Sequence, residues 1–216
     1  MDGQLIDNEQ EASVSTWDNY AITLKSYQTY LKQKVKAGKS QYDLDFTDLL
    51  YASNYKAGSG SIQEDFSNPK SKANLTLYGD LLKEIHGSFN ERGLESLDEE
   101  GLGKLVSYAD RMVELCSAHH VKGLGVPYCS ALFHMHFPDL FPVLDRNVLL
   151  GIGDIVEMNN IQKSGQIWKI ERYYEGLIRK LYAYLINSTK SLRDADRELF
   201  SKGKKIYETR KLNIAS

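Results

Sequence analysis

The chain has 216 residues and a formal net charge of −2, from 27 basic and 29 acidic side chains. This length suits one domain with a substantial core, and the charge argues mildly against a nucleic-acid binder that relies on overall positive charge, although a local basic face would be enough. The two cysteines have no paired ligands nearby, which excludes a zinc site of the cysteine type and suits a reducing compartment.

Apolar residues at helical spacing predict the elements of the first half of the chain. Residues 1–15 are polar, and we expect them to form a flexible N-terminus. Thr16 is placed to cap a helix over 17–35, and Asp45 or Thr47 starts the next helical segment. A further helix is expected over 75–89. Because few runs alternate in the β manner and prolines are scarce, the sequence predicts an all-α fold.

The middle of the chain carries a glycine hairpin between two helical patterns. A helix is predicted over 102–119, with Asp98 placed to cap it, and the hairpin occupies 121–126. Its two glycines, Gly123 and Gly125, allow a turn with positive φ and an unshielded backbone. Such a hairpin aims bare N–H groups and the start of the following helix at an anion, for which nucleic-acid phosphate is the obvious candidate.

Asp145 follows Gly125 by twenty residues. Pro138 and Pro142 break the preceding helix, so Asp145 stands at the N-cap position before a short apolar run. A carboxylate at an N-cap is held by backbone N–H groups and favoured by the helix dipole. We therefore expect it to stay ionised.

This combination of Gly123-Leu124-Gly125, a short helix and a capping Asp145 resembles the helix-hairpin-helix DNA glycosylases, the superfamily of the adenine-mismatch and 8-oxoguanine glycosylases. The resemblance implies a helix-hairpin-helix glycosylase-like bundle with Asp145 as the essential catalytic carboxylate. Bifunctional members carry a lysine two residues after the second glycine, where this chain has Pro127. No cysteine follows Cys129, so the family's iron–sulfur loop is absent. The resemblance thus implies a monofunctional enzyme that activates water and needs no metal or other cofactor.

The resemblance also implies double-stranded DNA as the partner and assigns further residues to its recognition. Asn54 and Lys56 lie about seventy residues before the hairpin, where the family has a helix that lines the DNA. Asn54, Tyr128 and His134 are the candidates for the base pocket, while an ordinary loop at Asn54 and a structural histidine at 134 are the alternatives. The candidates for contacts to the DNA backbone are Lys56, Lys122, Gly123, Leu124, Gly125 and Val126. Lys56 as a substitute Schiff-base nucleophile is a remote alternative.

Residues 16–216 are predicted to form a single helical domain. Within it lie the hairpin, the Asp-bearing segment 138–150 and C-terminal helices over 165–216. The acidic N-terminus is unlike a signal peptide, and no apolar run is long enough to cross a bilayer. We expect a monomer in the cytoplasm that does not bind membranes.

Three functions fit these observations. The first is a monofunctional DNA base-excision glycosylase acting in DNA repair or against modified foreign DNA. The second is a catalytically inactive helix-hairpin-helix DNA-binding protein in which Asp145 is only an N-cap, a role worth about 1 kcal/mol. The third is a helical protein-interaction module whose Gly-Leu-Gly turn is purely structural. The identity of the base is left open.

Overall fold

The computed structural model describes residues 8–56, 62–156, 158–162 and 166–215. These residues form eight α-helices and no β-strand, which confirms the predicted all-α class. The helices are α1 (Asn8–Lys36), α2 (Phe46–Tyr55), α3 (Pro69–Phe89), α4 (Glu99–Ala118), α5 (Val126–His136), α6 (Arg146–Ile152), α7 (Tyr174–Ile186) and α8 (Leu192–Ala215). Short 3-10 helices cover Leu94–Ser96, Met158–Asn160 and Ile170–Tyr173. Within the described part of the chain, no helix is both long and apolar enough to cross a membrane.

Several helices begin where a side chain satisfies their first N–H groups. Asp45, one of the two starts predicted for α2, forms a capping box with Asp48. Asp98 accepts a hydrogen bond from Gly101 N at the start of α4, which confirms that predicted cap. The helix predicted over 75–89 begins earlier, at Pro69. Asn68 caps it, and Pro69 occupies the first helical position, where no N–H is required.

The two ends of the chain also differ from the predicted helix boundaries. Helix α1 begins at Asn8, upstream of the expected cap at Thr16, because the intervening residues are rich in Glu, Gln and Ala, which favour helix. Residues 1–7 of the predicted flexible N-terminus lie outside the described residues. In the C-terminal region, a 3-10 turn precedes α7, which starts only at Tyr174.

Helix α5 lies at the centre of the bundle. Its residues 129–135 are all buried, so it has no solvent-facing side over two turns, as expected for a helix enclosed by other elements. It contacts α1, α2 and α4. Side chains from all eight helices join one hydrophobic core around it.

A buried polar network ties α1 and α2 to the end of α5. Lys34 Nζ donates to Asp48 Oδ2 at 2.9 Å, and Tyr27 OH donates to Asp48 Oδ1 at 2.9 Å. Because the Tyr27 proton is used on Asp48, His136 Nε2–H donates to the Tyr27 oxygen at 2.8 Å. Burial, and secondarily Lys34, lower the pKa of His136 to about 3, so its ring stays neutral.

Two glycines let α6 and α8 touch backbone to backbone. A Cβ placed on Gly203 would lie 1.7 Å from Asn147 O, and one on Gly151 would lie 1.9 Å from Leu199 O. Only hydrogen fits at either position. This close crossing brings α8 against the short helix that follows Asp145.

Candidate active site

The segment before Asp145 is held in place by buried side chains of α5 and α7. Each bonds a backbone group of the segment, so the chain has little freedom as it enters α6. The hydrogen bonds join His134 Nδ1 to Phe141 O (2.7 Å), Tyr174 OH to Pro142 O (2.8 Å) and Leu144 N to Ser130 Oγ (2.9 Å). Helix α5 therefore connects the hairpin, from which it starts, to the carboxylate at residue 145.

Asp145 caps α6, as predicted from the sequence. Its Oδ1 accepts from Asn147 N at 2.8 Å, and its Oδ2 accepts from Lys56 Nζ at 2.5 Å. The side chain is 21 % exposed. Burial works to raise the pKa of Asp145, but the ion pair with Lys56 and the Asn147 amide outweigh burial and hold that pKa below its ordinary value. The carboxylate is thus ionised, fixed by two donors and still reachable from solvent.

Lys56 reaches Asp145 from α2, where it is the C-cap residue. Its backbone N–H donates to Ala52 O and so closes the last turn of the helix. The lysine side chain is 14 % exposed. The sequence predicted a phosphate or pocket contact for Lys56, and the structure brings it onto the candidate catalytic carboxylate, 89 residues away in the chain.

Asp145 and Lys56 open into a narrow cleft between α1, α2, α6 and α8. About 20 Å³ of it is accessible to the centre of a water molecule, which is room for roughly one water. The side chains that line the cleft are Tyr20, Tyr55, Lys56, Val143, Asp145, Val148, Asp196 and Phe200. The lining of this small cleft therefore combines aromatic rings with two carboxyl groups, those of Asp145 and Asp196.

Asp196 is the second carboxyl group in this cleft. Its side chain is 7 % exposed, and Arg193 Nη1 lies 3.4 Å from its Oδ2. The same Nη1 donates to Tyr55 OH at 2.6 Å. Burial raises the pKa of Asp196 to about 7, and the charge of Asp145 adds to this rise while Arg193 opposes it.

Arg193 and Asp196 lie within the C-terminal helices predicted over 165–216, and neither was predicted as a site residue. A signal was present, because Asp196 shares the apolar stripe of α8 with Leu192 and Leu199, which are buried. An acidic residue on a buried helix face is rare unless it has a partner or a function.

The residues predicted for the base pocket are not brought together at the cleft. His134 is buried behind Tyr55, with ring centroids 5.5 Å apart, and burial lowers its pKa to about 4. Asn54 is exposed and donates to Thr23 Oγ1 at 3.1 Å. Tyr128 lies in the first turn of α5 and does not line the cleft. The His134 ring uses Nδ1 on Phe141 O, whereas its Nε2 has no hydrogen-bond partner among the described residues.

The hairpin has the turn that its glycines suggested. Gly123 has a φ of 94°, and Leu124 N closes the turn on Val121 O at 2.8 Å. Gly125 has an ordinary φ of −76° and is the N-cap of α5. Leu124 is buried in the core and its N–H is used internally, so it has no amide to offer a phosphate. Among the described residues, none accepts a hydrogen bond from the N–H of Gly125 or Val126.

Lys122 is exposed at the tip of the hairpin, but its backbone is already engaged. Its N–H donates to Glu64 Oε2 at 2.7 Å, and its carbonyl accepts from Gln63 N at 3.0 Å. The hydrogen bond from Lys122 N lowers the pKa of Glu64. The Glu64 carboxylate therefore occupies the Lys122 amide. The Lys122 side chain, which is exposed, is left to contact a phosphate.

No group of histidine, cysteine or acidic side chains among the described residues is arranged to hold a metal ion. Cys116 and Cys129 are free, buried thiols. The chain matches no family model, no curated protein and no solved structure.

Proposed function

We propose that this protein is a DNA N-glycosylase that hydrolyses the bond between a flipped base and its sugar, with Asp145 as the essential carboxylate. The observation that carries the proposal is the state of Asp145. It is ionised, oriented by Asn147 N and Lys56, and exposed to a cleft on a segment that α5 ties to the glycine hairpin.

The chemistry of N-glycoside hydrolysis requires such a group. As the base leaves, positive charge develops on the sugar, and a fixed carboxylate stabilises that charge and orients the attacking water. The two donors on Asp145 hold its oxygens in place before the reaction, so little reorganisation is needed. Before the sugar binds, the hydrogen bond from Lys56 to Oδ2 helps to keep the carboxylate ionised. When the sugar is bound, Oδ2 interacts with both Lys56 and the sugar.

DNA would contact the hairpin and the cleft together. The N–H groups of Gly125 and Val126, at the start of α5, and the ammonium of Lys122 suit a backbone phosphate. The cleft has room for about one water. A base can therefore enter only if the cleft widens, and the aromatic rings that line it would then stack on the base, as aromatic side chains do in enzymes that flip bases.

One specific observation favours a second candidate mechanism on the same site. Lys56 Nζ lies 2.5 Å from Asp145 Oδ2, so an amine lies beside the carboxylate that would hold the sugar. In this mechanism, the ammonium group would pass one proton to the departing base, and the amine would attack C1′ as the bond from C1′ to the base nitrogen breaks with its electron pair on the base. A Schiff base would then form when the sugar ring opens. The lysine would come from α2, whereas the resemblance places it in the hairpin, at Pro127.

Base release from duplexes that carry single damaged or modified bases tests the proposal. Asp145→Asn keeps a good N-cap, so it should fold normally while base release falls by about 10²–10⁴-fold. Asp98→Asn makes the same chemical change at the exposed cap of α4 and should leave release unchanged. A catalytically inactive DNA-binding protein would bind DNA with a steep salt dependence but release no base from any duplex.

Borohydride trapping and alkali treatment separate the two mechanisms. If water is the nucleophile, wild-type protein leaves abasic sites that break only in alkali, and borohydride traps no covalent complex. If Lys56 is the nucleophile, strands break without alkali and a trapped complex forms that Lys56→Met abolishes.

A further inference from the structure

The proposed reaction gives Asp196 no role, although its side chain lines the same cleft as Asp145. Asp196 is held by α8, and its residue is only 5 % exposed. Its Oδ1 has no hydrogen-bond partner among the described residues. A buried carboxyl oxygen that lacks a partner costs stability, so its position calls for a function.

The charges around Asp196 separate it from Asp145. Lys56 on α2 pairs with Asp145 at 2.5 Å, whereas Arg193 lies 3.4 Å from Asp196 and also donates to Tyr55. Burial opposes the ionised form of both carboxyl groups, but Asp145 has a cation at 2.5 Å and a backbone donor, whereas the cation of Asp196 lies at 3.4 Å. Two carboxyl groups in one cleft whose environments push them toward opposite protonation states are the usual arrangement of an acid and a base.

We infer that Asp196 is the general acid that protonates the departing base, and that the site consequently acts on neutral bases in preference to cationic N-alkylated ones. This inference rests on the proposed glycosylase function and specifies its leaving group and its class of substrate.

In the proposed step, the bond from C1′ to the base nitrogen breaks and its electron pair stays with the base. The Asp196 carboxyl proton passes to a ring nitrogen of the base, which leaves as a neutral molecule. Water adds to C1′ and gives its proton to Asp145. Solvent then removes the proton from Asp145 and returns one to Asp196, so the sum is the hydrolysis of one N-glycosidic bond.

The preference for neutral bases follows from the charge in the cleft. With Asp196 protonated, Asp145 is the one anion among the described residues that line the cleft. A base that already carries positive charge would meet two cations, Lys56 and Arg193. Such a base also needs no proton to leave. A neutral purine leaves as a poor anion unless it is protonated, so it gains most from a nearby acid.

The pH dependence of base release offers an independent signature. The titratable groups around Asp196 are Tyr20 on α1, Tyr55 and Lys56 on α2, and Asp145 at the start of α6. Burial raises the pKa of both tyrosines, and the pKa of Asp145 is lowered. Asp196, with a pKa of about 7, is the group expected to give a limb near neutrality, with the rate falling as pH rises.

Single-turnover release of hypoxanthine, adenine, 8-oxoguanine and cationic 7-methylguanine from otherwise identical duplexes tests the inference. Wild type should release at least one neutral purine faster than 7-methylguanine. In Asp196→Asn, release of that neutral purine should fall by about 10²–10⁴-fold and lose the limb near neutrality, while release of 7-methylguanine should change by less than about tenfold. Asp194→Asn, an exposed acidic residue on the same helix, is the matched control and should leave both rates unchanged.

Four outcomes overturn the inference. If Asp196→Asn releases the neutral purine at the wild-type rate, Asp196 is not the acid. If wild type releases only 7-methylguanine, in a manner that depends on Asp145, the charge argument fails while the glycosylase proposal stands. If wild type releases none of the four bases but another base in the wider panel depends on Asp145 and not on Asp196, the acid is again refuted. Absence of any release refutes the glycosylase proposal together with the inference. Asp196→Glu keeps an acid, and partial recovery there would support the inference.

Discussion

Replacement of Gly203 by alanine should force apart the helices that flank the candidate site. The added Cβ would lie 1.7 Å from Asn147 O, 2.6 Å from its carbonyl carbon and 2.9 Å from its Cα. All three atoms belong to the backbone of α6, so no side-chain rotation relieves the contact. To reach 3.0 Å from the oxygen alone, one helix would have to move by about 1.3 Å.

The expected loss of stability combines two opposing effects. Overpacking a well-packed contact costs about 1–3 kcal/mol, and a clash with backbone belongs at the upper end of that range or above it. Alanine gains back about 1 kcal/mol because glycine is the poorer helix former. We therefore expect a net destabilisation of about 2 kcal/mol. For a chain of this length, this corresponds to a fall in Tm of about 4–8 °C.

Gly103→Ala is the matched control, since Gly103 lies inside α4 with nothing within 4 Å of its Cβ position. It should gain stability by up to about 1 kcal/mol, from helix propensity alone. Thermal unfolding followed by circular dichroism compares the two variants with wild type. If Gly203→Ala is as stable as Gly103→Ala, the backbone contact between α6 and α8 is absent and the geometry that brings Asp196 to the cleft is wrong.

Two further predictions concern buried charge. Lys34→Met leaves Asp48 buried without its cation and should lower the free energy of unfolding, measured in urea, by about 3–5 kcal/mol. Adding Asp48→Leu should restore part of that loss. Equal stability of Lys34→Met and wild type would show that the pair is not buried. Asp196 has a folded pKa of about 7, above its value in the unfolded chain, so the folded state binds the extra proton between about pH 4 and 7. Wild type should therefore lose stability relative to Asp196→Asn as pH rises through this window, and parallel stability curves would contradict the buried state of Asp196.

The features that could be predicted from the sequence are the ones that local chemistry determines. Asp98 and Asp145 were identified as caps, and Asp45 as one of two possible starts of α2, because an N-cap bonds the N–H groups of the next two or three residues, all within one turn. The start of α3 was misplaced because the Asn68-Pro69 pair favours both a turn and a helix start. The local sequence pattern permits both the turn and the helix start, and the packing of α3 against the rest of the protein determines which one forms.

The contacts of the site join residues far apart in sequence. Lys56 meets Asp145 across 89 positions, and Arg193 meets Tyr55 across 138. No periodicity encodes such pairs, because they depend on how whole helices cross. Gly203, however, left a signal. A glycine inside a lysine-rich helix lowers helix propensity without forming a turn, and close approach of another backbone is the common reason for keeping it.

The way the site is held also indicates which part must move to admit a base. Buried hydrogen bonds fix the segment before Asp145, and the glycine contacts fix α8 against α6, so neither carboxyl group can withdraw without breaking the core. Tyr20 is different, because it packs on Tyr55 from one face of α1 and is only partly buried. We therefore expect the cleft to open on its aromatic side. There, a base can replace the contact between the Tyr20 and Tyr55 rings with its own contact to a ring, while Asp196 and Asp145 keep their positions.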